Sequence, residues 1–177
     1  ISFDSRTIYS SADNAFIAIN TKKNSGQKYI DSVIEKGIDT IITENKIDNP
    51  SINQIITKNS VEFLQTLAKY HFEHSAINSI GITGSNGKTI LKEWLYQCLS
   101  NEFVTVKSPK SFNSQIGLPL SLFQIEKKHD LGIFEVGISK PDEMDNQENI
   151  FHPKIGLLTH IGSAHSANFS SEEELIN

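Results

Sequence analysis

Six consecutive residues, Gly84-Ser85-Asn86-Gly87-Lys88-Thr89, have the types and spacing of a loop that holds a nucleoside polyphosphate. They follow an apolar run, Ser79 to Thr83, and lead into an amphipathic one. In a strand, glycine turn and helix of this kind, successive backbone N–H groups and the helix N-terminus behind them surround phosphate oxygens. Lys88 then adds positive charge at the outer phosphates, and the Thr89 hydroxyl can ligate Mg²⁺. The general form of the motif places its first glycine five residues before Gly87, where this chain has Ile82. Gly84 supplies a shorter form, Gly-x-x-Gly-Lys-Thr. A glycine turn that only caps a helix, with Lys88 solvated, is the bland alternative and leaves the flanking strand and helix unexplained.

A second set of chemical groups is expected at strand ends, because ligands of open parallel sheets gather at the carboxyl edges of the strands. Glu135 interrupts the apolar run Leu131-Gly132-Ile133-Phe134-Glu135-Val136-Gly137. A buried carboxylate is unfavourable unless it is paired or metal-bound, so a metal beside the phosphate loop accounts for an acid here. The competing reading is a solvated glutamate on an edge strand. His165 follows the next apolar strand, and a neutral imidazole there can complete a metal shell. By itself a loop histidine is more often a surface residue. Cys98 falls in the helix after the phosphate loop and reads as a small core residue rather than a nucleophile.

These residues need a scaffold, and the hydrophobic periodicity outlines one. Ala15 to Ile19 is a short apolar run, Gln27 to Lys36 has helical spacing closed by Gly37, and Ile38 to Thr43 reads as strand, together a β-α-β unit. A polar loop with a short strand near Ile55 and Ile56 leads to a helix over Val61 to His74. Beyond it the spacing predicts strands over Ile77–Thr83, Phe103–Val106, Leu131–Val136 and Ile155–Ile161, and helices over Lys88–Leu99 and Ser114–Phe123. Alternating strands and helices predict parallel sheets covered by helices, in two α/β domains divided after residue 75.

Composition excludes several functions. The chain has 177 residues, 16 Lys+Arg against 21 Asp+Glu and a net charge of −5. Eight basic residues face nine acidic ones up to residue 75, and eight face twelve after it. Neither part has the clustered positive charge that nucleic-acid binding requires. A lone cysteine forms no internal disulfide, and no apolar run reaches the roughly 18 residues of a membrane span, so a reducing cytoplasm is the expected setting. A first residue that is not Met, with no leader, and an end at Asn177 where a helix starts suggest a fragment of a longer protein.

The shortened phosphate loop resembles that of the Mur ligases, ATP-dependent amide-bond-forming enzymes of bacterial cell-wall synthesis. Asn113-Ser114-Gln115-Ile116-Gly117-Leu118-Pro119-Leu120 is similar to an Asn-rich, Ile-Gly-x-Pro segment of those members that add D-alanyl-D-alanine to UDP-N-acetylmuramoyl-tripeptide. Glu135-Val136-Gly137, with Glu143-Met144 after it, resembles their Glu-x-Gly segment, and Ala164-His165 their Ala-His pair. Asp4-Ser5-Arg6, followed by Phe16-Ile17-Ala18, resembles the segment that holds the UDP-sugar end of the substrate. The planar charge of Arg6 suits a pyrophosphate.

The resemblance implies a small N-terminal α/β substrate domain over 1–75 and a truncated, P-loop-type, mainly parallel ATP-binding domain over 76–177. It implies ATP and Mg²⁺ as cofactors, with Gly84 to Thr89 on the nucleotide and Thr89, Glu135 and His165 on the metal. Lys88, Asn113 and His165 take catalytic roles, and Asp4, Ser5 and Arg6 bind substrate. Departures from the family pattern fall at Ser25, Gln27, Ser111, Ser114, His160 and Ala167. A carbamylated lysine and an amine-binding third domain are expected beyond Asn177, which leaves the fragment alone inactive, and an alanine racemase fusion is compatible with it. Folylpolyglutamate synthase-like ligases and a non-catalytic nucleotide-binding module are the rival readings.

Overall fold

The computed structural model describes residues 4, 15–21, 24–138 and 143–162. The chain divides into two compact units, Ile1–Leu64 and Gln65–Asn177.

In the first unit, β1 (Ala15–Ile17), α1 (Ile30–Glu35), β2 (Thr40–Thr43) and β3 (Asn53–Ile56) build a parallel sheet in the order β1-β2-β3. Phe16, Ala18, Val33, Ile38 and Ile41 are buried in one cluster, as strand alternation and a helical stripe require when both face one core. Gly37 has φ of 85°, so the expected glycine stop of α1 uses the left-handed conformation. Before α1, a 3-10 turn spans Gly26–Tyr29 and begins at Ser25, whose Oγ accepts from Gln27 N at 3.3 Å and donates to Asn20 Oδ1 at 2.7 Å. The serine at this departure from the family pattern therefore supplies a side-chain cap.

α2 (Ser60–Glu73) contains the division between the units, and the boundary expected after residue 75 lies just past its end. Asn59 Oδ1 accepts from Val61 N and Glu62 N at 3.0 and 3.2 Å, capping the helix. The second unit then runs β4 (Asn78–Thr83), α3 (Lys88–Leu99), β5 (Thr105–Lys107), α4 (Gly117–Leu122), β6 (Leu131–Glu135), α5 (Glu143–Glu148) and β7 (Ile155–Leu158). Its strands are parallel, in the order β5-β6-β4-β7, and β6 is buried along its whole length. Successive side chains alternate between sheet faces. Ile80, Ile82, Leu131 and Ile133 meet Leu91, Leu95 and Leu99 of α3 on one face. Phe134 and Val136 join Leu118, Leu122 and Phe151 in another cluster.

Several elements depart from their expected limits for local reasons. β5 starts at Thr105 because Val104 is tied to the turn before β6: its N–H donates to Asp130 Oδ2 at 3.0 Å and its carbonyl accepts from Asp130 N at 2.8 Å. α4 starts at Gly117, whose N–H donates to Ser114 Oγ at 3.1 Å in the turn that precedes the helix. Pro119 sits within the first turn, where no N–H is needed. β7 stops at Leu158 because the Thr159 hydroxyl turns to Thr83 O and Asn86 O, at 3.1 and 2.6 Å. α5, which periodicity gave no reason to expect, buries only Gln147. Cys98 is exposed on α3, which corrects its reading as a core residue.

Candidate active site

The phosphate-loop sequence lies between the last residue of β4 and the first of α3, at the carboxyl edge of the sheet. β4 continues through Thr83, with Ile82 fully buried against Ile133, so the loop itself is only residues 84–87. That is why the first glycine of the longer motif is an isoleucine here. Gly84 has φ of 127°, and a Cβ on it would meet Thr159 Oγ1 at 2.3 Å and His160 O at 2.9 Å, so no other residue fits.

The loop is braced by the segment after β7. Ser85 N donates to His160 O at 2.7 Å, and Ser85 Oγ donates to Gly162 O and accepts from Gly162 N, both at 3.0 Å. His160 thus contributes its main chain, whatever its side chain. Thr159, which sequence reasoning did not single out, ties Asn86 O to the end of β4. With Ser85 N committed, the amides from Gly87 onward belong to the helix start, where the first four N–H groups have no partner within the helix. Lys88 Nζ folds back to donate to Gly84 O. Burial lowers the Lys88 pKa, and the charge of Glu135 opposes that shift.

Glu135 ends β6, the strand beside β4, and its side chain is fully buried on the α3 side. The edge-strand alternative is thereby overturned: β6 is an interior strand. Glu135 Oε2 accepts from Thr89 Oγ1 at 3.1 Å and stands 3.5 Å from Asn113 Nδ2, the outer limit of a hydrogen bond. Glu135 Oε1 faces Lys92 Nζ at 2.9 Å in an ion pair whose angles are outside hydrogen-bond geometry. Lys92 is itself fully buried. It donates to Ser108 O at 3.0 Å and to Lys110 O, and it lies 3.3 Å from Glu93 Oε1. Glu93 also pairs with Lys107, a bond that holds its carboxyl below the usual range.

Lys92 is the residue that reading the motif missed. The signal was its position: it lies three and four residues before Leu95 and Tyr96, on the stripe of α3 that faces the sheet. Apolar Trp94 and Ile90 are exposed on the same helix, at 64% and 59%. Charge on the inner stripe and aromatic surface on the outer one mark a buried ion pair.

The expected residues Gly84, Ser85, Asn86, Gly87, Lys88, Thr89, Asn113 and Glu135 therefore converge within the second unit. Asp4 is described in the first unit as half-buried. Ser5, Arg6 and His165 lie outside the described residues, as does Ala167. The donors Thr89 Oγ1 and Glu135 Oε2 fit a hard divalent cation: ligands at about 2.0–2.1 Å in an octahedron leave adjacent oxygens about 2.9 Å apart, close to the 3.1 Å between these two atoms. Among the described residues no three His, Cys, Asp or Glu side chains are grouped to hold a metal ion.

Fold and site define a two-unit α/β protein whose second unit carries a glycine loop and a buried carboxylate side by side at the edge of a parallel sheet. The sequence profile of the Mur ligase middle domain matches residues 82–177, and the chain belongs to the Mur ligase family. It is 35% identical to the UDP-N-acetylmuramoyl-tripeptide–D-alanyl-D-alanine ligase of Borreliella burgdorferi, over 95% of this chain and 39% of that protein. To the ligase of the same name from Rickettsia prowazekii it is 34% identical, over 90% of this chain and 36% of that protein. The crystal structure of MurF from Acinetobacter baumannii matches with a TM-score of 0.91 at 28% identity, covering 99% of this chain and 38% of that one. MurF ligase from Thermotoga maritima in complex with ADP matches with a TM-score of 0.86 at 29% identity, covering 99% and 40%. The chain thus spans about two-fifths of the length of these relatives.

Proposed function

We propose that this chain is the substrate-binding and nucleotide-binding portion of an ATP-dependent ligase that joins D-alanyl-D-alanine to UDP-N-acetylmuramoyl-tripeptide during peptidoglycan synthesis in the cytoplasm. The observation that carries the reading is the convergence of Lys88, Thr89 and Glu135 at the mouth of the glycine loop, with Thr89 Oγ1 and Glu135 Oε2 3.1 Å apart. The names of the relatives and the ADP held by a structural neighbour support it.

In this reading a terminal carboxylate of the tripeptide attacks the γ-phosphorus of ATP, the bond to the β-phosphate oxygen breaks, and ADP departs. The amine of D-alanyl-D-alanine then attacks the acyl carbon, loses a proton and expels phosphate, leaving an amide. The first step brings two anions together, which is the barrier the site has to lower. Gly84 to Gly87 shape the loop, and the helix N-terminus offers amides and a partial positive charge to the phosphates. Lys88 leaves Gly84 O to meet the transferring phosphoryl group. Thr89 and Glu135, with His165 as a further ligand, would hold Mg²⁺, which would supply neutralisation of phosphate charge. Asn113, 3.5 Å from Glu135 Oε2, positions substrate or nucleotide in this reading. Residues 1–75 bind the UDP-sugar end through Asp4, Ser5 and Arg6, and residues 76–177 bind ATP.

The test is Lys88→Ala in the full-length protein. Ligation falls by about 100-fold or more, in line with the loss of one preorganised charge donor, while UDP-sugar binding is retained. Unchanged turnover contradicts the assignment.

A further inference from the structure

Glu135 and Lys92 form a buried pair whose two carboxylate oxygens have different partners. Oε1 faces the ammonium at 2.9 Å, and Oε2 faces Thr89 Oγ1 and, more distantly, Asn113 Nδ2. The ammonium is held from behind by main chain: Ser108 O at 3.0 Å and Lys110 O both accept from it. Lys110 adopts φ of 50°, a left-handed conformation that non-glycine residues avoid. Ser108 is fully buried, and its Oγ accepts from Glu135 N at 3.0 Å. Lys92, Ser108 and Glu135 are thus locked together from α3, the end of β5 and the end of β6.

We propose that Lys92 is a positioning residue for the divalent-cation site: it occupies Oε1 of Glu135, so that Oε2 alone is presented, beside Thr89 Oγ1, to the cation. The proposal rests on the reading of the loop as a nucleotide site. Two physical arguments support it. A fully buried carboxylate without a counter-charge is unfavourable, so something must neutralise Glu135 whenever no cation is bound, and Lys92 is the fully buried cation in contact with it. A carboxylate held through one oxygen also cannot chelate with both, and single-oxygen contact suits Mg²⁺, which keeps several of its waters. Lysine serves here where arginine would not: the guanidinium fork takes both oxygens of a carboxylate and would close Oε2 to the metal.

The proposal separates from a plain packing role in thermal melts of the full-length protein with no nucleotide. Lys92→Met strands the carboxylate and lowers the melting temperature by about 5 °C or more. Adding MgCl₂ or MnCl₂ restores at least half of that loss, whereas the wild type shifts little. Lys92→Met/Glu135→Gln recovers without metal and no longer responds to it. Equal melting of the single and double variants, both indifferent to metal, overturns the proposal. Should Lys92→Met not fold, Lys92→Arg keeps the charge and tests the geometry. Its Mn²⁺ affinity in the presence of ADP falls about tenfold as the guanidinium takes Oε2, and wild-type affinity overturns the proposal. Failure of the wild type to bind ADP at all overturns the nucleotide reading instead, which the nucleotide-free melts distinguish.

Discussion

Two glutamates stand at the carboxyl ends of parallel strands in this chain, and their surroundings give them different work. Glu44 follows β2 and is half-buried; its Oε1 accepts from Ser60 N at 2.7 Å, its Oε2 from Asn20 Nδ2 at 2.8 Å. It anchors the start of α2 with neutral donors and stays within reach of water. Glu135 ends β6, is fully buried, and is balanced by a buried lysine on one oxygen and the Thr89 hydroxyl, in the first turn of α3, on the other. A strand end therefore does not by itself make a carboxylate functional. What distinguishes Glu135 is that its second oxygen is aimed at a glycine loop and is not consumed by a helix cap.

Replacing each acid should break this comparison in a characteristic way. Glu135→Ala leaves the buried Lys92 ammonium with only the partly exposed Glu93 as counter-charge and should reduce stability by about 3–5 kcal/mol, the range for removing one member of a buried pair, measured by chemical denaturation. A loss below about 1 kcal/mol would mean that water reaches the pair and that the burial argument is wrong. Glu44→Gln should lose only about 1 kcal/mol, the scale of a helix-capping contact, and the loss should depend on pH. The backbone bond from Ser60, then the bond from Asn20, lowers the folded-state pKa of Glu44 below its ordinary value. A lowered carboxylate pKa contributes stability above the unfolded value, about 4.3, and loses it as pH falls through the folded value. Wild type and Glu44→Gln should consequently differ at pH 7 and converge in acid. A difference that persists at pH 2 would assign the effect to shape rather than charge.

Much of the scaffold was legible because its elements are periodic. α3 begins and ends where the apolar spacing and the glycine loop put it, and β6 differs by one residue from its apolar run. The misplaced strand limits share a cause: β5 and β7 are trimmed by side chains that bind nearby backbone, Asp130 and Thr159, and hydrophobicity does not report such bonds. α5 was not foreseen because Glu-Met-Asp-Asn-Gln-Glu carries no apolar stripe. Within the site, Gly84 to Thr89 and Glu135 could be read from residue type and spacing alone. The partner of Glu135 is marked in the sequence only as a charge on the inner stripe of α3; that it meets Glu135 emerges from the packing of α3 on β6. The burial of Glu135 thus has an explanation in the protein itself, the buried ion pair with Lys92, and does not call for a metal to account for it.

The most direct test of the account is calorimetric titration of ADP with Mg²⁺ into the folded full-length protein, compared with Lys88→Ala. Saturable, Mg²⁺-dependent binding to the wild type, weakened about tenfold or more when the ammonium is removed, is the predicted result. No binding to a wild-type protein whose melting curve shows it intact would contradict the central claim that the glycine loop, Lys88 and the Thr89–Glu135 pair form a nucleotide site.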